Sequence, residues 1–242
     1  MANYALITAG GVGNRMGQNV PKQFMNIYDV PVIIYTLKAF QNVQEIDGIA
    51  VVCLSGWEVV LAAYANQYGI TKLKWIFPGG KTNQESIFRG LMGLKEEGCK
   101  DEDIVLVHDG VRPLVSSRII VENIEKCKKF NYAVTGLMCK EAIMLKEDDC
   151  LNKLGVEREN LVRTQTPHTY QLKSLLEAHE KANQLGVVNT VASCTLMAEL
   201  GIDSQHLVIG TEYNGLKLTQ PEDVEIFKAL ISTNKEFMFN KK

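Results

Sequence analysis

Short runs of apolar residues alternate with amphipathic segments along most of the chain, and this alternation restricts the possible fold more than any other feature. Several runs are rich in β-branched residues, as in strands buried on both faces, and short loops containing glycine or proline separate them from segments with helical periodicity. The predicted strands cover residues 4–8, 49–54, 74–77, 104–107, 132–138, 207–209 and 216–218. The predicted helices are one that begins at Pro31, others over residues 57–68, 82–95, 118–129, 172–184 and 191–200, and a last one that opens at 219–222 and ends at about 231. This order of elements predicts an α/β fold with a mostly parallel, doubly wound sheet.

The alternation stops after residue 138. Residues 140–160 are polar and acidic, and 143–145 is their only apolar stretch, so this segment buries little surface by itself. A chain of 242 residues is compatible with one domain. We therefore expect a single domain over residues 1–242, with an inserted arm at about 139–160 that packs on something else.

Composition excludes several classes of partner. The 26 basic and 28 acidic residues give a net charge of -2, which argues against non-specific binding to nucleic acid. No run approaches the ~18 apolar residues of a membrane span, and the first residues lack the basic region of a signal peptide. The six cysteines are far apart without a CxxC pair, as in reduced proteins. We expect a cytoplasmic protein with no nucleic-acid or membrane partner.

The first predicted strand leads into a glycine-rich loop with cations nearby. In open α/β sheets, ligands bind at the carboxyl ends of strands, and glycines let backbone N–H groups approach phosphate oxygens. Met16 stands where GxGxxG needs its third glycine, and no GxxxxGK[ST] string occurs. Arg15 and Lys22 lie within or just after the loop, which favours a polyphosphate over a dinucleotide. A tight turn without a ligand is the alternative interpretation.

Four motifs in order span nearly the whole chain. They are AGGxGxRM from Ala9 with Pro21-Lys22-Gln23, VHDGVRP at 107–113, Arg158 with Gln165-Thr166-Pro167, and Lys217-Leu218-Thr219 with Pro221-Glu222-Asp223. Together these motifs resemble the signatures of the 2-C-methyl-D-erythritol 4-phosphate and ribitol 5-phosphate cytidylyltransferases. The resemblance implies a Rossmann-like nucleotidyltransferase fold.

The resemblance also implies the reaction: CMP is transferred from CTP to a polyol phosphate, and pyrophosphate is released. Arg15, Lys22 and Lys217 would be the catalytic cations. Asp109, with Asn214 as a weaker second oxygen ligand, would bind Mg²⁺. The implied nucleotide-binding positions are Ala9, Gly10, Gly11, Gly13, Gly79, Gly80, Asn83, Ser86, Asp109 and Gly110. His108 is interpreted as a packing residue, because an acceptor phosphate that is already ionised needs no base.

The acceptor side departs from the family pattern. The resemblance implies that the arm crosses to a partner subunit in a homodimer. The implied acceptor-binding residues are Arg112, Glu141, Arg158 and Thr166. The departures are Glu141-Ala142 for Asp-Thr, Asn189-Thr190-Val191-Ala192 for Thr-Asp-Glu-Ala, and His168 for glutamine. The identity of the acceptor is therefore left open.

Three functions are compatible with these residues. Residues 83–86, 118–123 and 163–167, together with Trp57, resemble the ribitol 5-phosphate branch. The first alternative is the 2-C-methyl-D-erythritol 4-phosphate enzyme of isoprenoid biosynthesis. The second, of a different class, is a CTP-binding module without turnover, although such a module has no use for cations that stabilise a leaving pyrophosphate.

Overall fold

A seven-stranded mixed sheet forms the centre of the computed structural model, which describes residues 1–11, 20–153, 155–202 and 204–233. The strands are β1 (Asn3–Ala9), β2 (Asn26–Ile27), β3 (Val30–Pro31), β4 (Gly48–Cys53), β5 (Leu73–Pro78), β6 (Ile104–Asp109), β7 (Tyr132–Met138), β8 (Met144–Glu147), β9 (Cys150–Lys153), β10 (Val162–Gln171) and β11 (His206–Ile209). The central sheet has the order β11-β7-β10-β6-β1-β4-β5. Every neighbouring pair is parallel except those that β10 makes with β6 and β7.

Helices cover both faces of this sheet. They are α1 (Val32–Gln41), α2 (Glu58–Gln67), α3 (Asn83–Glu96), α4 (Ser117–Phe130), α5 (Leu172–Leu185), α6 (Ser193–Glu199) and α7 (Pro221–Thr233), with 3-10 turns at Lys22–Phe24 and Arg158–Asn160. Along β1, Ala5 and Ile7 pack into the core that contains α1, α4 and α7, whereas Leu6 packs into the core that contains α3, α5 and α6. Both faces are buried, which explains why this strand is continuously apolar. The predicted α/β class and doubly wound sheet are confirmed. No helix within the described ranges is long and apolar enough to cross a membrane.

Two sequence predictions about strands are wrong. Strand β10 was not predicted, because its residues are mostly polar. Buried polar groups of β10 are satisfied by hydrogen bonds to neighbouring elements. Thr169 Oγ1 donates to Asn123 Oδ1 over 3.2 Å, and the carbonyl of Pro167 accepts from Thr135 Oγ1 on β7 over 2.9 Å. Residues 216–218, predicted as a strand, are not part of the sheet. The backbone N–H of Leu218 instead donates to the carbonyl of Val111 over 2.9 Å.

The predicted arm contains a hairpin. Strands β8 and β9 pair only with each other among the described strands. Large apolar side chains of this region are exposed in the single chain, namely Ile143, Met144, Leu145, Leu151 and Val156. The expectation that this segment has little to bury within its own chain agrees with that exposure.

Three buried histidines should make the folded state sensitive to acid. Burial lowers the pKa of His108, His168 and His179 from 6.5 to about 4. The unfolded state therefore binds these protons more readily, so the stability they confer is complete above pH 6.5 and is lost as the pH falls towards 4. Each contributes about 3 kcal/mol to this loss. We expect the unfolding free energy from urea titrations to fall between pH 7 and 4.5, and to fall less steeply in His179→Gln. If the unfolding free energy of His179→Gln fell as steeply with pH as that of the wild type, the lowered pKa of His179 would be contradicted.

Candidate active site

A cleft opens at the carboxyl ends of the central parallel strands. Strands β1 and β6 pair with Thr8 opposite Asp109, so the loops that follow them emerge side by side. The cleft, about 180 Å³ in volume, lies between these loops, the loop after β5 and the start of α3. We name it the glycine cleft; its lining residues are Thr8, Ala9, Gly10, Gly11, Lys22, Gln23, Gly80, Lys81, Thr82, Asn83, Ser86, Asp109, Val111 and Lys217.

The loop after β5 is held against α3. Ser86 Oγ accepts a hydrogen bond from the backbone N–H of Gly80 over 3.0 Å and donates one to the carbonyl of Thr82 over 2.9 Å. At Gly79 an added Cβ would lie 2.9 Å from the carbonyl oxygen of Cys53, so a larger residue would push the loop away from β4. The backbone contacts of this loop therefore require glycine and fix one wall of the cleft.

Gln23 holds the opposite wall. Its buried side-chain amide donates to the carbonyls of Ala9 and Gly11 over 2.8 and 2.9 Å. Because C=O and N–H point in opposite directions across a trans peptide, the bond to Ala9 turns the N–H of Gly10 away from Gln23. The same anchor places Lys22, the preceding residue, at the cleft.

Asp109 lies between two cations at the cleft floor. Its Oδ2 is 2.8 Å from Arg112 Nε and 3.0 Å from Lys217 Nζ. Burial by itself would raise the pKa of this carboxyl group, but the charges of Lys217 and Arg112, with the hydrogen bond from Arg112, hold the pKa well below its usual range. Asp109 is therefore ionised at neutral pH.

Contacts along residues 210–218 determine where Lys217 lies. Gln165 Nε2 donates to the carbonyl of Thr211 over 3.1 Å, and Arg112 Nη1 donates to the carbonyl of Gly215. An added Cβ at Gly215 would overlap the side chain of Gln165. Lys217 is thus positioned by β10 and by the loop after β6, both remote in sequence.

A second pocket of about 130 Å³ adjoins the glycine cleft. The two share Thr8, Asn83, Asp109 and Lys217. The other residues lining the second pocket are Ile87, Val107, His108, Arg112, Thr164, Gln165, Thr166, His168, Val191, Ala192 and Ser193. The two pockets could therefore hold two ligands whose ends meet at Asp109 and Lys217.

Thr166 and His108 support the shared wall. Thr166 Oγ1 accepts from the backbone N–H of Asp109 over 3.2 Å and lies 3.0 Å from His108 Nδ1. His108 Nε2 lies 3.1 Å from the carbonyl oxygen of Arg112. Burial lowers the pKa of His108 to about 4, so this ring is neutral at pH 7. Its contacts match the predicted packing role.

The structure brings most of the predicted site residues together. Those lining the glycine cleft are Ala9, Gly10, Gly11, Lys22, Gly80, Asn83, Ser86, Asp109 and Lys217, and those lining the second pocket include Arg112 and Thr166. Gly79 and Gly110 lie directly behind the cleft, each packed against a strand carbonyl. Arg15 and Gly13 lie outside the described residues. Their roles stay predictions.

Three predicted residues are not brought to either pocket within one chain. Glu141 is exposed on the arm, and Arg158 is exposed there too, with Nη1 donating to the carbonyl of Lys140 over 3.3 Å. Asn214 Oδ1 accepts from Thr211 Oγ1 over 2.8 Å, and its Nδ2 donates to the carbonyl of Leu114 over 2.8 Å. The second lone pair of Asn214 Oδ1 is left for a further contact, but Asn214 lines neither pocket.

Sequence reasoning gave no role to Gln23 or Ser193. Gln23 stands in a quoted motif next to Lys22, so its position was a usable signal. Ser193 begins a helix and reaches the second pocket only through the packing of α6. No local pattern indicates such a contact.

The donor set fits Mg²⁺ that is bound together with a nucleotide. Among the described residues no group of three or more histidine, cysteine, aspartate or glutamate side chains could hold a metal ion. Asp109 supplies the single carboxylate among the residues that line the glycine cleft. Mg²⁺ commonly binds one or two carboxylates and completes its shell with substrate phosphates and water.

Comparison with known proteins places the chain in a family. The family model for 2-C-methyl-D-erythritol 4-phosphate cytidylyltransferase (IspD) matches residues 4–233. The chain therefore belongs to the 2-C-methyl-D-erythritol 4-phosphate cytidylyltransferase family. The predicted family and enzyme class, a nucleotidyltransferase of the cytidylyltransferase type, are confirmed.

Individual relatives carry two names within this family. Ribitol-5-phosphate cytidylyltransferase from Vibrio parahaemolyticus is 40% identical over 232 residues, which cover 96% of this chain and 96% of that protein. 2-C-methyl-D-erythritol 4-phosphate cytidylyltransferase from Clostridium novyi is 34% identical over 235 residues, covering 96% of this chain and 98% of that protein. The crystal structure of 4-diphosphocytidyl-2C-methyl-D-erythritol synthase from Anaerococcus prevotii has a TM-score of 0.80 at 25% identity, covering 96% of both chains.

Replacing Gln23 by leucine should loosen the loop after β1. The variant keeps the buried volume but loses both hydrogen bonds to the loop carbonyls, so we expect the unfolding free energy to fall by about 1–3 kcal/mol. The KM for CTP should rise severalfold, because the backbone N–H groups of the loop lose their fixed direction. Urea denaturation and steady-state kinetics measure the two effects. A destabilised variant with unchanged KM for CTP would show that Gln23 serves stability alone.

Proposed function

We propose that this protein transfers CMP from CTP to ribitol 5-phosphate, which yields CDP-ribitol and pyrophosphate. The observation that carries the proposal is the pair of adjoining pockets with Asp109 and Lys217 at their common wall. A triphosphate in the glycine cleft and a phosphate in the second pocket would meet there. The higher identity to the ribitol-5-phosphate enzyme favours this acceptor over the methylerythritol one.

The reaction needs little covalent chemistry from the protein. An oxygen of the acceptor phosphate attacks the α-phosphorus of CTP in line, and the bond from that phosphorus to the departing pyrophosphate breaks. The second pKa of a phosphate monoester is near ~6, so the nucleophile is largely ionised at neutral pH. A general base is unnecessary. The neutral, buried state of His108 is consistent with this.

Charge neutralisation is the main task of the site. Lys22 would contact the triphosphate, and Arg15 is proposed to act with it. Lys217, at the common wall, would lie between the α-phosphate and the acceptor phosphate and reduce their mutual repulsion. Asp109 would hold Mg²⁺, which supplies further neutralisation of the phosphate charges when bound. Arg112 would bind the acceptor phosphate with its planar guanidinium group.

The walls of the glycine cleft would hold the cytidine. Asn83 and Ser86 stand at the start of α3, where side-chain and backbone groups can bind the ribose and the base. Gly10 and Gly79 pack closely against each other, so these two positions of the cleft wall would offer backbone groups to the nucleotide.

We further propose that the arm forms a homodimer. The exposed apolar residues of the hairpin region need cover. A second copy of the chain would supply that cover and would bring Glu141 and Arg158 to the partner's second pocket. The six cysteines are all free thiols, which supports the expected reducing, cytoplasmic location.

Pyrophosphate release tests the proposed reaction. The purified protein with CTP and Mg²⁺ should release pyrophosphate when ribitol 5-phosphate is added, and at least about tenfold more slowly with 2-C-methyl-D-erythritol 4-phosphate. The reverse preference would establish the second candidate acceptor. Binding of CTP without release from any polyol phosphate would support the CTP-binding module and refute the enzyme.

Replacing Lys22 by alanine should abolish most turnover without unfolding the protein. The side chain lines the cleft, and its proposed role is electrostatic, so kcat should fall by about 10²-fold or more while Tm stays within a few degrees. Lys128→Ala, on the exposed face of α4, is the matched control and should retain full activity. Retained turnover in Lys22→Ala would contradict the assignment.

Replacing residues 144–153 by a short glycine–serine linker should weaken dimerisation. It removes the β8–β9 hairpin but no residue of the central sheet. Sedimentation velocity should show a lighter species, and the KM for the acceptor should rise while the KM for CTP does not. A variant with the sedimentation coefficient of a dimer would contradict the proposed interface.

A further inference from the structure

The second pocket has two chemically different ends. The end shared with the glycine cleft carries Asp109, Arg112 and Lys217. The lining residues that the glycine cleft does not share include Thr164, Gln165, His168, Val191, Ala192 and Ser193, which we name the neutral end. None of these six side chains carries a charge at pH 7, since burial lowers the pKa of His168 to about 4. A charged group of a ligand therefore fits the first end, and the chain that extends from it meets a neutral polar wall.

Unpaired buried polar atoms are concentrated at this neutral end. Five buried side-chain atoms in the described part of the chain lack a hydrogen-bond partner: Asn3 Oδ1, Gln165 Oε1, His168 Nε2, His179 Nε2 and Ser193 Oγ. Three of the five belong to residues that line the neutral end. Buried polar atoms are nearly always paired, because an unpaired one is costly. The occurrence of three such atoms around one pocket points to a ligand that supplies the missing hydrogen bonds.

Two of the three atoms suit hydroxyl groups of a ligand. The side chain of Gln165 packs against Gly210 and Gly215, so its Oε1 is covered by the chain itself. Nε2 of His168 is buried and has no hydrogen-bond partner. In a neutral imidazole one nitrogen donates and the other accepts, so Nε2 can pair with a hydroxyl group in either tautomer, because a hydroxyl group both donates and accepts. Ser193 Oγ can both donate and accept.

Another contact fixes the wall that carries Ser193. Gln84, on the first turn of α3, donates from Nε2 to the carbonyl of Val187 over 2.8 Å, and its Oε1 accepts from the backbone N–H of Thr190 over 2.8 Å. The neighbouring Asn83 lines both pockets. The first turn of α3 thus both lines the two pockets and bonds to the segment that leads to Ser193.

We propose that His168 Nε2 and Ser193 Oγ bind hydroxyl groups on the polyol chain of the acceptor and so determine which polyol phosphate is used. The proposal rests on the proposed function, which places the acceptor phosphate at the charged end. Both are specificity-determining residues and contact no reacting atom. The ligand class is a neutral polyhydroxylated chain that ends in a phosphate.

Substrates that lack single hydroxyl groups test the proposal. Pyrophosphate release is measured for ribitol 5-phosphate and for analogues that each lack one hydroxyl, with the wild type, Ser193→Ala and His168→Phe. Ser193→Ala is the primary variant, because it removes a single oxygen atom, whereas His168→Phe replaces a whole buried ring. Each variant should lose at least about tenfold in kcat/KM for ribitol 5-phosphate. With the analogue that lacks the hydroxyl bound by the replaced side chain, the variant and the wild type should have the same kcat/KM. The KM for CTP should be unchanged.

His179→Gln is the matched control. His179 is also a buried histidine with an unpaired Nε2, but it lies on α5 and lines neither pocket. It should keep the selectivity of the wild type. Wild-type kcat/KM values in Ser193→Ala and His168→Phe, or equal losses with every analogue, would overturn the proposal.

The outcomes separate the two proposals. If the wild type prefers 2-C-methyl-D-erythritol 4-phosphate, the same variants are measured with that acceptor and its deoxy analogues, and the same criteria apply. If the wild type releases no pyrophosphate with any polyol phosphate, the proposed function itself is refuted, and the hydroxyl subsite with it.

Discussion

The ionised carboxylate of Asp109 is the constraint on which the site depends. It is largely buried, and Arg112 and Lys217 are its partners. Leaving such a charge without a partner would cost on the order of 3–5 kcal/mol, so the loop after β6 and the segment that carries Lys217 must lie together. The folded chain therefore assembles cations around one point before any substrate arrives. A triphosphate entering the cleft would compete for those cations, and this competition is how a structural ion pair could become a phosphate-binding site.

The sheet topology determines what surrounds that carboxylate. Parallel pairing of β1 with β6 brings the glycine loop beside Asp109. The antiparallel strand β10, between β6 and β7, carries Thr166 and His168 into the second pocket. A purely parallel sheet has no strand that runs back through the site in this way. The parallel strands β1 and β6 thus lead into loops of the glycine cleft, and the antiparallel strand β10 lines the second pocket. The two pockets share Asp109 and Lys217.

The sequence predicts the fold well where burial determines composition. Strands covered on both faces are continuous apolar runs, and the sequence identifies them almost to their ends. It misses β10, because the polar residues of this strand are typical of a loop. Their burial depends on hydrogen bonds to distant residues, such as that between Thr169 and Asn123. The motifs contain Lys22, Asp109 and Lys217, which line the glycine cleft, but not Ser193, whose position in the second pocket depends on long-range packing. The predicted contributions of Glu141 and Arg158 depend on a second copy of the chain.

A crystal structure with CTP, Mg²⁺ and ribitol 5-phosphate tests the central claim most directly. Lys22 and Lys217 should lie within hydrogen-bond distance of phosphate oxygens, Asp109 should coordinate the ion, and the acceptor phosphate should stand in line with the α-phosphorus. A structure in which the nucleotide lies outside the glycine cleft, with Lys217 still paired only to Asp109, would contradict the account.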